Sequence, residues 1–309
     1  MQLNHPIFTD ETKARNYLEA QRWPNGAECP HCGIIGEATA MQGTAHRPGL
    51  YNCRACAQQF SVTVGTVYER SKIPLHKWLL ATHLVCSSKT AISAHQIHRM
   101  LGITYKSAWF MMHRIREAMG GAEKGPMGGE SKQVQSDETY LGNTSKRAKG
   151  YKKGHNNKMK IVAFVEPGTG EARAFRKSKL DYIRVRKALV TNVDRKSTLV
   201  TDDANLYRYI GTEFGSHETV NHSRGEYVSK SGHTTNNVEN FFGVFKRGFK
   251  GTYSHCEDQH LQRYLNEFEF RYTNRSGVGI DDTERTAKAL ANIGSKRLTY
   301  RRIDESHHA

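Results

Sequence analysis

Three acidic residues stand in settings where carboxylates do chemistry. Asp137 lies in the middle of the alternating run Gln133–Leu141 (QVQSDETYL), and Asp202 ends the buried-looking run Ser197–Thr201 (STLVT). Glu239 lies in the stretch His233–Gly251 (HTTNNVENFFGVFKRGFKG). Carboxylates brought together repel and raise one another's pKa. Mg²⁺ or Mn²⁺ relieves that repulsion, because hard oxygen ligands suit these ions better than zinc. Two such ions about 3.5–4 Å apart activate a hydroxyl nucleophile and stabilise the leaving oxygen of a phosphodiester. Lys246 follows Glu239 by two helical turns on the same polar edge, and Gly243 between them keeps the surface low. Each acid also has an ordinary reading. Asn236 and Glu239 have capping-box spacing, Asp137 suits a strand edge, and Asp202 suits a helix N-cap.

The elements that must position these acids are legible. Gln133–Leu141 and Met159–Val165 read as strands, and the turn Pro167–Gly170 leads into a third over Glu171–Ser178. Leu180–Val193 reads as a helix with Leu180, Ile183, Val185, Ala188 and Leu189 inward, and Ser197–Thr201 as a buried strand. A short strand is read at Val220–His222. Val238, Phe241, Phe242, Phe245 and Phe249 recur at steps of three and four, the spacing of a helix, and His260–Arg275 reads as an amphipathic helix. Three hairpin strands, a helix, a strand and a further helix is the order of a ribonuclease H-like core. In such a core the first and fourth strands are neighbours, which brings Asp137 beside Asp202, with Glu239 completing the set.

A second cluster precedes this core. Cys29-Pro-His-Cys32 and Cys53-Arg-Ala-Cys56 are CxxC pairs of the kind that closes a tetrathiolate zinc site, and Gln58–Thr63 reads as a strand. A closed site is structural, holding a module too small for its own core. His31, inside the first knuckle, reads as exposed. Residues 8–20 read as a short helix. Pro74 opens a helix as its first residue. Ser93–Leu101, the turn Gly102–Thr104 and the helix Tyr105–Met119 form a helix-turn-helix pattern with Thr104 as N-cap. The plainer alternative is an ordinary helical hairpin. Tyr105, Lys106 and Ser107 would meet base edges, and His113, Arg114 and Arg116 would reach phosphates.

The chain has 309 residues, a formal charge of +16 and six cysteines. So basic a chain favours a polyanion, above all nucleic acid, as partner. CxxC usage indicates a reducing compartment, not a secreted disulfide framework. No apolar run reaches the roughly 18 residues of a membrane span, and the N-terminus carries no signal peptide. A cytoplasmic, nucleoid-associated protein is the expectation. The Gly-rich stretch Gly120–Gly129 reads as a linker. The basic stretch Lys146–Lys160 reads as a solvated loop or a DNA-facing arm.

The combination of CPHC, CRAC, FSVTVGTVYERSKIPLHKW, IHRMLGITYKSAWFMMHRIREAM, QVQSDETYLGN, LVTDDANLY, TTNNVENFFGVFKRGFKGTYSH and LQRYLNEFEFRYTNR resembles the insertion-sequence-1595 (ISXO-two-like) family of DDE transposases. The resemblance runs from about Arg22 to Arg275. It implies a zinc-ribbon N-terminus and a ribonuclease H-like catalytic domain of the DDE type; with the elements read above, the chain is expected to be α/β (α+β) and multidomain, with a zinc ribbon (1–65), a helix-turn-helix helical region (66–120), a linker (121–131), a ribonuclease H-like catalytic domain (132–280) and a basic polar tail (281–309). It implies metal-dependent strand cleavage and transfer at the ends of a mobile element, with double-stranded DNA and a homo-oligomer in the DNA complex as partners. The family's acids fall on Asp137, Asp202 and a third position within NNVE. Glu239 is the expected ligand there, with Lys246 beyond it, and Asn236 is the alternative. Asp203 is the lesser substitute for Asp202. The competing readings are a DNA-binding regulator with an inert core and a stand-alone nuclease or resolvase.

Overall fold

The computed structural model describes residues 1–121, 125–142, 158–229, 231–296 and 298. In chain order its elements begin with α1 (Glu11–Arg22), β1 (Ala38–Ala40), β2 (Tyr51–Cys53), β3 (Gln59–Phe60), α2 (Leu75–Ser87), α3 (Ala94–Leu101) and α4 (Tyr105–Met119). There follow β4 (Gln133–Leu141), β5 (Met159–Val165), β6 (Ala172–Lys177), α5 (Tyr182–Asn192), β7 (Thr198–Asp202), β8 (Ser216–Val220), α6 (Asn236–Gly248), α7 (Leu261–Thr273) and α8 (Asp282–Ala291). The chain divides into two compact units, residues 122–279 and residues 1–121 with those from 280 onward. Much of Lys146–Lys160, part of the glycine-rich linker and the end of the tail lie outside the described residues.

The 122–279 unit is built on one sheet of order β6-β5-β4-β7-β8. β4, β5 and β6 run antiparallel, and β7 and β8 lie parallel to β4. A three-stranded meander followed by two parallel strands, the first reached through a helix, is the ribonuclease H-like topology. On one face, Val134, Val162, Phe164 and Leu199 pack with Val185, Ala188 and Leu189 of α5 and with Tyr207. Ile183, expected in this core, is 74 % exposed. It lies roughly 200° around the helix from Val185, on the opposite side. The last strand also differs: it ends at Val220, and Asn221 and His222 lead into a turn.

α6 packs on β4 and β5 of the other face and buries Val238, Phe241, Phe242, Phe245 and, just beyond its end, Phe249. The Phe245 ring meets Phe268 of α7 edge-on at 5.2 Å, and Tyr253 meets Tyr264 at 4.8 Å. Edge strand β6 would otherwise expose backbone N–H groups that invite pairing with another chain. α7 covers them: the N–H groups of Ala172, Ala174 and Arg176 donate to Thr273, Glu269 and Gln262 at 3.0, 2.6 and 3.0 Å. The helix carrying Glu239 is therefore held by the sheet beneath it and by a helix that is itself bonded to the sheet edge.

In the other unit, β1, β2 and β3 form a small sheet. The strand expected over Gln58–Thr63 is limited to Gln59–Phe60, and Trp23 packs edge-on against Tyr51 and Phe60 at 5.3 and 5.7 Å. α2 has Pro74 at its N-cap, one residue before the expected position, and Glu11 accepts the N–H groups of Leu75 and His76 at 2.8 and 3.1 Å. A Ser93 capping box opens α3, and Gly102 ends it with a φ of 59°, a conformation glycine adopts without strain. Residues 281–309, read from sequence as a polar tail, contain α8. It packs on α2, buries Ala289 and Leu290, and donates from Arg285 to the Cys86 carbonyl at 2.9 Å. The Asp281–Glu284 cap that starts α8 is itself a pattern visible in the sequence.

Candidate active site

The parallel pairing of β4 with β7 sets Gln135 opposite Val200. Two residues further along each strand stand Asp137 and Asp202, on the same side of the sheet because side chains alternate with period two. That side faces α6. Gln133 Oε1 lies 2.9 Å from His233 Nδ1, and Gln135 Oε1 accepts the N–H groups of Asn237 and Val238 at 2.9 and 3.1 Å. The first turn of α6 is thus bonded to β4, and Glu239 follows directly. Burial pushes the Asp137 carboxyl up to about 7, and the charges of Glu138, Asp202 and Glu239 add to the effect, outweighing the 2.7 Å hydrogen bond it accepts from the Glu138 N–H. Asp202 is also raised, first by burial and then by Asp203 and Glu239, while His222 and the Ala204 N–H oppose the shift. Asp137 and Asp202, both raised by burial and by the nearby Glu239 charge, are hard oxygen donors of the kind a divalent cation takes.

The ordinary readings of these acids are not what the structure contains. The N-cap of α6 is Thr235, with no side-chain capping bond. Glu239 Oε1 instead accepts the Thr235 hydroxyl at 2.5 Å and lies 3.0 Å from His222 Nε2. No helix starts at Asp202; its Oδ1 accepts the Ala204 N–H at 3.3 Å within a turn. Asp203 is taken up by Asn221 Nδ2 at 2.8 Å. Glu138 accepts the Tyr207 hydroxyl at 2.6 Å on the core side of the sheet. Asn236 is exposed at the first position of α6. Lys246 Nζ lies 5.9 Å from the Phe242 ring centroid, and it lines a cavity of about 840 Å³ with Tyr140, Lys250 and His255. Gln135, His222 and Thr235 escape a reading of the sequence, since no spacing motif links them to the acids.

At the start of α4, Lys106 is exposed and Tyr105 stacks on His95 at 4.2 Å. Ser107 is committed to the helix start: its N–H donates to Thr104 Oγ1 at 3.2 Å, and its hydroxyl accepts from Thr104 at 2.9 Å. Arg114 and Arg116, expected to face phosphates, are 7 % and 2 % exposed. Met111 through Arg116 are all buried, His113 among them, so α4 has no basic outer face there. Arg114 donates to the Glu69 carbonyl at 2.5 Å and stacks over Trp78 at 5.2 Å, partners that hold its guanidinium inside the protein.

The four CxxC sulfurs converge. The Sγ atoms of Cys29, Cys32, Cys53 and Cys56 all lie within 4.8 Å of one another, with Cys29–Cys56 at 3.6 Å and Cys32–Cys53 at 3.7 Å. A zinc tetrahedron with Zn–S of about 2.3 Å has S···S edges of about 3.8 Å, so the cluster fits that ion. His31 is exposed.

A ribonuclease H-like sheet carrying clustered carboxylates, preceded by a zinc-ribbon cysteine cluster, defines an enzyme of the polynucleotidyl-transferase type. Residues 128–273 match the ISXO2-like transposase domain, and residues 9–59 match the transposase zinc-ribbon domain. The chain thus carries an ISXO2-like transposase domain together with a transposase zinc ribbon. A Halobacterium salinarum relative, described as an uncharacterized protein in transposable element ISH50, is 26 % identical over 281 residues, covering 85 % of this chain and 91 % of the relative. Among solved structures, the catalytic core domain of BIV integrase is similar at 16 % identity and a TM-score of 0.30, over 43 % of this chain and 80 % of that one. A chain of the simian T-cell lymphotropic virus intasome is similar at 15 % identity and a TM-score of 0.30, over 56 % of this chain. This chain spans 63 % of that intasome chain's length.

Proposed function

We propose that Asp137, Asp202 and Glu239 hold two Mg²⁺ or Mn²⁺ ions and that the chain hydrolyses a phosphodiester at each end of its element, then joins the freed 3′ hydroxyl to target DNA. The observation that carries this reading is the parallel β4–β7 register, which sets Gln135 opposite Val200 two residues short of Asp137 and Asp202, with the Asp137 carboxyl near the Glu239 charge and pushed up to about 7. Bound ions would supply an activated nucleophile and a stabilised leaving oxygen. The protein's own part is positional. Two ligands sit on adjacent strands of one sheet, and the third sits on a helix bonded to that sheet. Thr235 and His222 fix the Glu239 carboxylate by direct contact, as partners of metal ligands commonly do. Lys246, two turns on, steadies the DNA strand. Asn236 is the alternative third ligand.

The four cysteines would hold one structural zinc, and Tyr105, Lys106 and Ser107, at the start of α4, would meet base edges. Double-stranded DNA as partner is supported by the +16 charge. A homo-oligomer on paired element ends and a cytoplasmic, nucleoid-associated location complete the reading. Among the described residues no helix is long and apolar enough to cross a membrane. Incubating the purified chain with Mg²⁺, labelled element-end DNA and target DNA tests the proposal. Cleaved and joined products are expected. Cleavage without joining would indicate a nuclease or resolvase, and binding with neither would indicate a regulator.

A further inference from the structure

The first turn of α6 is held in an unusual way. A helix start leaves four N–H groups without helical partners, and a side chain at the N-cap normally serves some of them. Thr235 at the α6 N-cap makes no such bond. Gln135 serves instead, from another element about a hundred residues away: one carboxamide oxygen accepts both the Asn237 and the Val238 N–H. Gln135 is 1 % exposed, so water cannot replace it. Its position in the chain matters as much as its bonds. It lies two residues before Asp137 on β4, and the amides it holds lie just before Glu239 on α6. A single buried side chain therefore ties the strand bearing one carboxylate to the helix bearing another, next to both. The Gln133–His233 contact at 2.9 Å is a second tie, nearer the surface.

We infer that Gln135 is a positioning residue for the transposase reaction, setting the separation of Glu239 from Asp137. The inference rests on the three-carboxylate site proposed above. Gln135→Leu would keep similar bulk but lose the acceptor, leaving the buried Val238 N–H and the part-buried Asn237 N–H without it, a condition that drives the helix start away from the strand. Gln135→Asn would keep the amide but draw its oxygen back by one methylene, about 1.5 Å. Gln135→Glu would keep both acceptor bonds, its charge favoured by the helix N-terminus but disfavoured by burial and by Asp137 two residues away.

The test measures Mn²⁺ affinity of the full chain by calorimetry beside strand cleavage, for Gln135→Leu, Gln135→Asn and Gln135→Glu. Far-UV circular dichroism and amide exchange at Asn237 and Val238 are followed in each. Loss of a residue that orients metal ligands costs roughly 10–100-fold in metal affinity or activity. Gln135→Leu and Gln135→Asn are expected to weaken Mn²⁺ binding and cleavage by that range and to speed exchange at the two amides. Gln135→Glu should keep exchange at the two amides as slow as in wild type, because both acceptor bonds remain. If Gln135→Leu fails to fold, the Asn and Glu variants decide. Unchanged Mn²⁺ affinity in folded Gln135→Asn overturns the inference, as does exchange at the two amides in Gln135→Glu as fast as in Gln135→Asn. Asp137→Ala serves as control: if it binds Mn²⁺ and cleaves normally, the carboxylate site itself is wrong. If it fails while the Gln135 variants behave as wild type, the role of Gln135 alone is wrong.

Discussion

If the site is built for cations, its acids should weaken the metal-free fold, and Asp137→Asn should strengthen it. The Asp137 carboxyl rises from 3.8 to about 7 on folding, chiefly through burial and then through Glu138, Asp202 and Glu239. The folded state therefore holds a proton that the unfolded chain releases, so stability falls as pH rises between about 4 and 7 and is flat above. At about 1.4 kcal/mol per tenfold change in proton affinity, a rise from 3.8 to about 7 sets an upper bound near 4 kcal/mol. Because Asp137 is partly reachable by water, screening reduces this to about 1–3 kcal/mol. Asparagine removes the penalty, and its Oδ1 retains the acceptor for the Glu138 N–H. In EDTA at pH 8 the variant should melt about 3–10 °C above wild type, the gain vanishing near pH 4. Millimolar Mn²⁺ should reverse the order, because only wild type has the full ligand set to be stabilised by binding. Thermal unfolding of the full chain across pH, with and without Mn²⁺, gives the answer. A metal-free wild type as stable as Asp137→Asn at pH 8 would refute the reasoning.

Further consequences concern the other residues. Cys53→Ser should drop zinc from about one per chain to near none by elemental analysis and unfold the cysteine module, leaving Mn²⁺ binding intact. Arg114→Ala should destabilise by about 2 kcal/mol in urea unfolding, because it vacates a buried cation site, while the salt dependence of DNA binding stays as in wild type. Lys106→Ala should instead alter DNA affinity or sequence preference in a binding titration. Lys246→Ala should slow cleavage more mildly than loss of any carboxylate, which single-turnover kinetics would resolve.

Much of this arrangement is visible in residue patterns because it follows from burial. The alternation in QVQSDETYL and the apolar run MKIVAFV give β4 and β5, and the Val238–Phe249 stripe gives the inner face of α6. The CxxC spacing gives the cysteine cluster. Asp137 and Asp202 follow from strand order once the meander is recognised. What stays hidden depends on partners distant in sequence. Gln135 bonds to residues 102 and 103 positions away, and nothing local marks it. His222 stands in a turn after β8, where it meets Glu239 only through the fold. Arg114 and Arg116 mislead because charge is assigned to solvent by default, whereas a guanidinium with a carbonyl and an aromatic face for partners is stable inside. α8 is hard to see because its apolar stripe is short and its neighbours are charged, although its cap is readable.

The central claim is that three particular carboxylates hold the catalytic ions, and anomalous scattering from crystals of the chain grown with Mn²⁺ tests it most directly. The account predicts anomalous peaks about 2.0–2.3 Å from carboxylate oxygens of Asp137, Asp202 and Glu239, with two peaks, if both ions bind, about 3.5–4 Å apart. A peak bridging Asp137 and Asp202 but coordinated by Asn236 instead of Glu239, or Mn²⁺ bound away from all three acids, would contradict it.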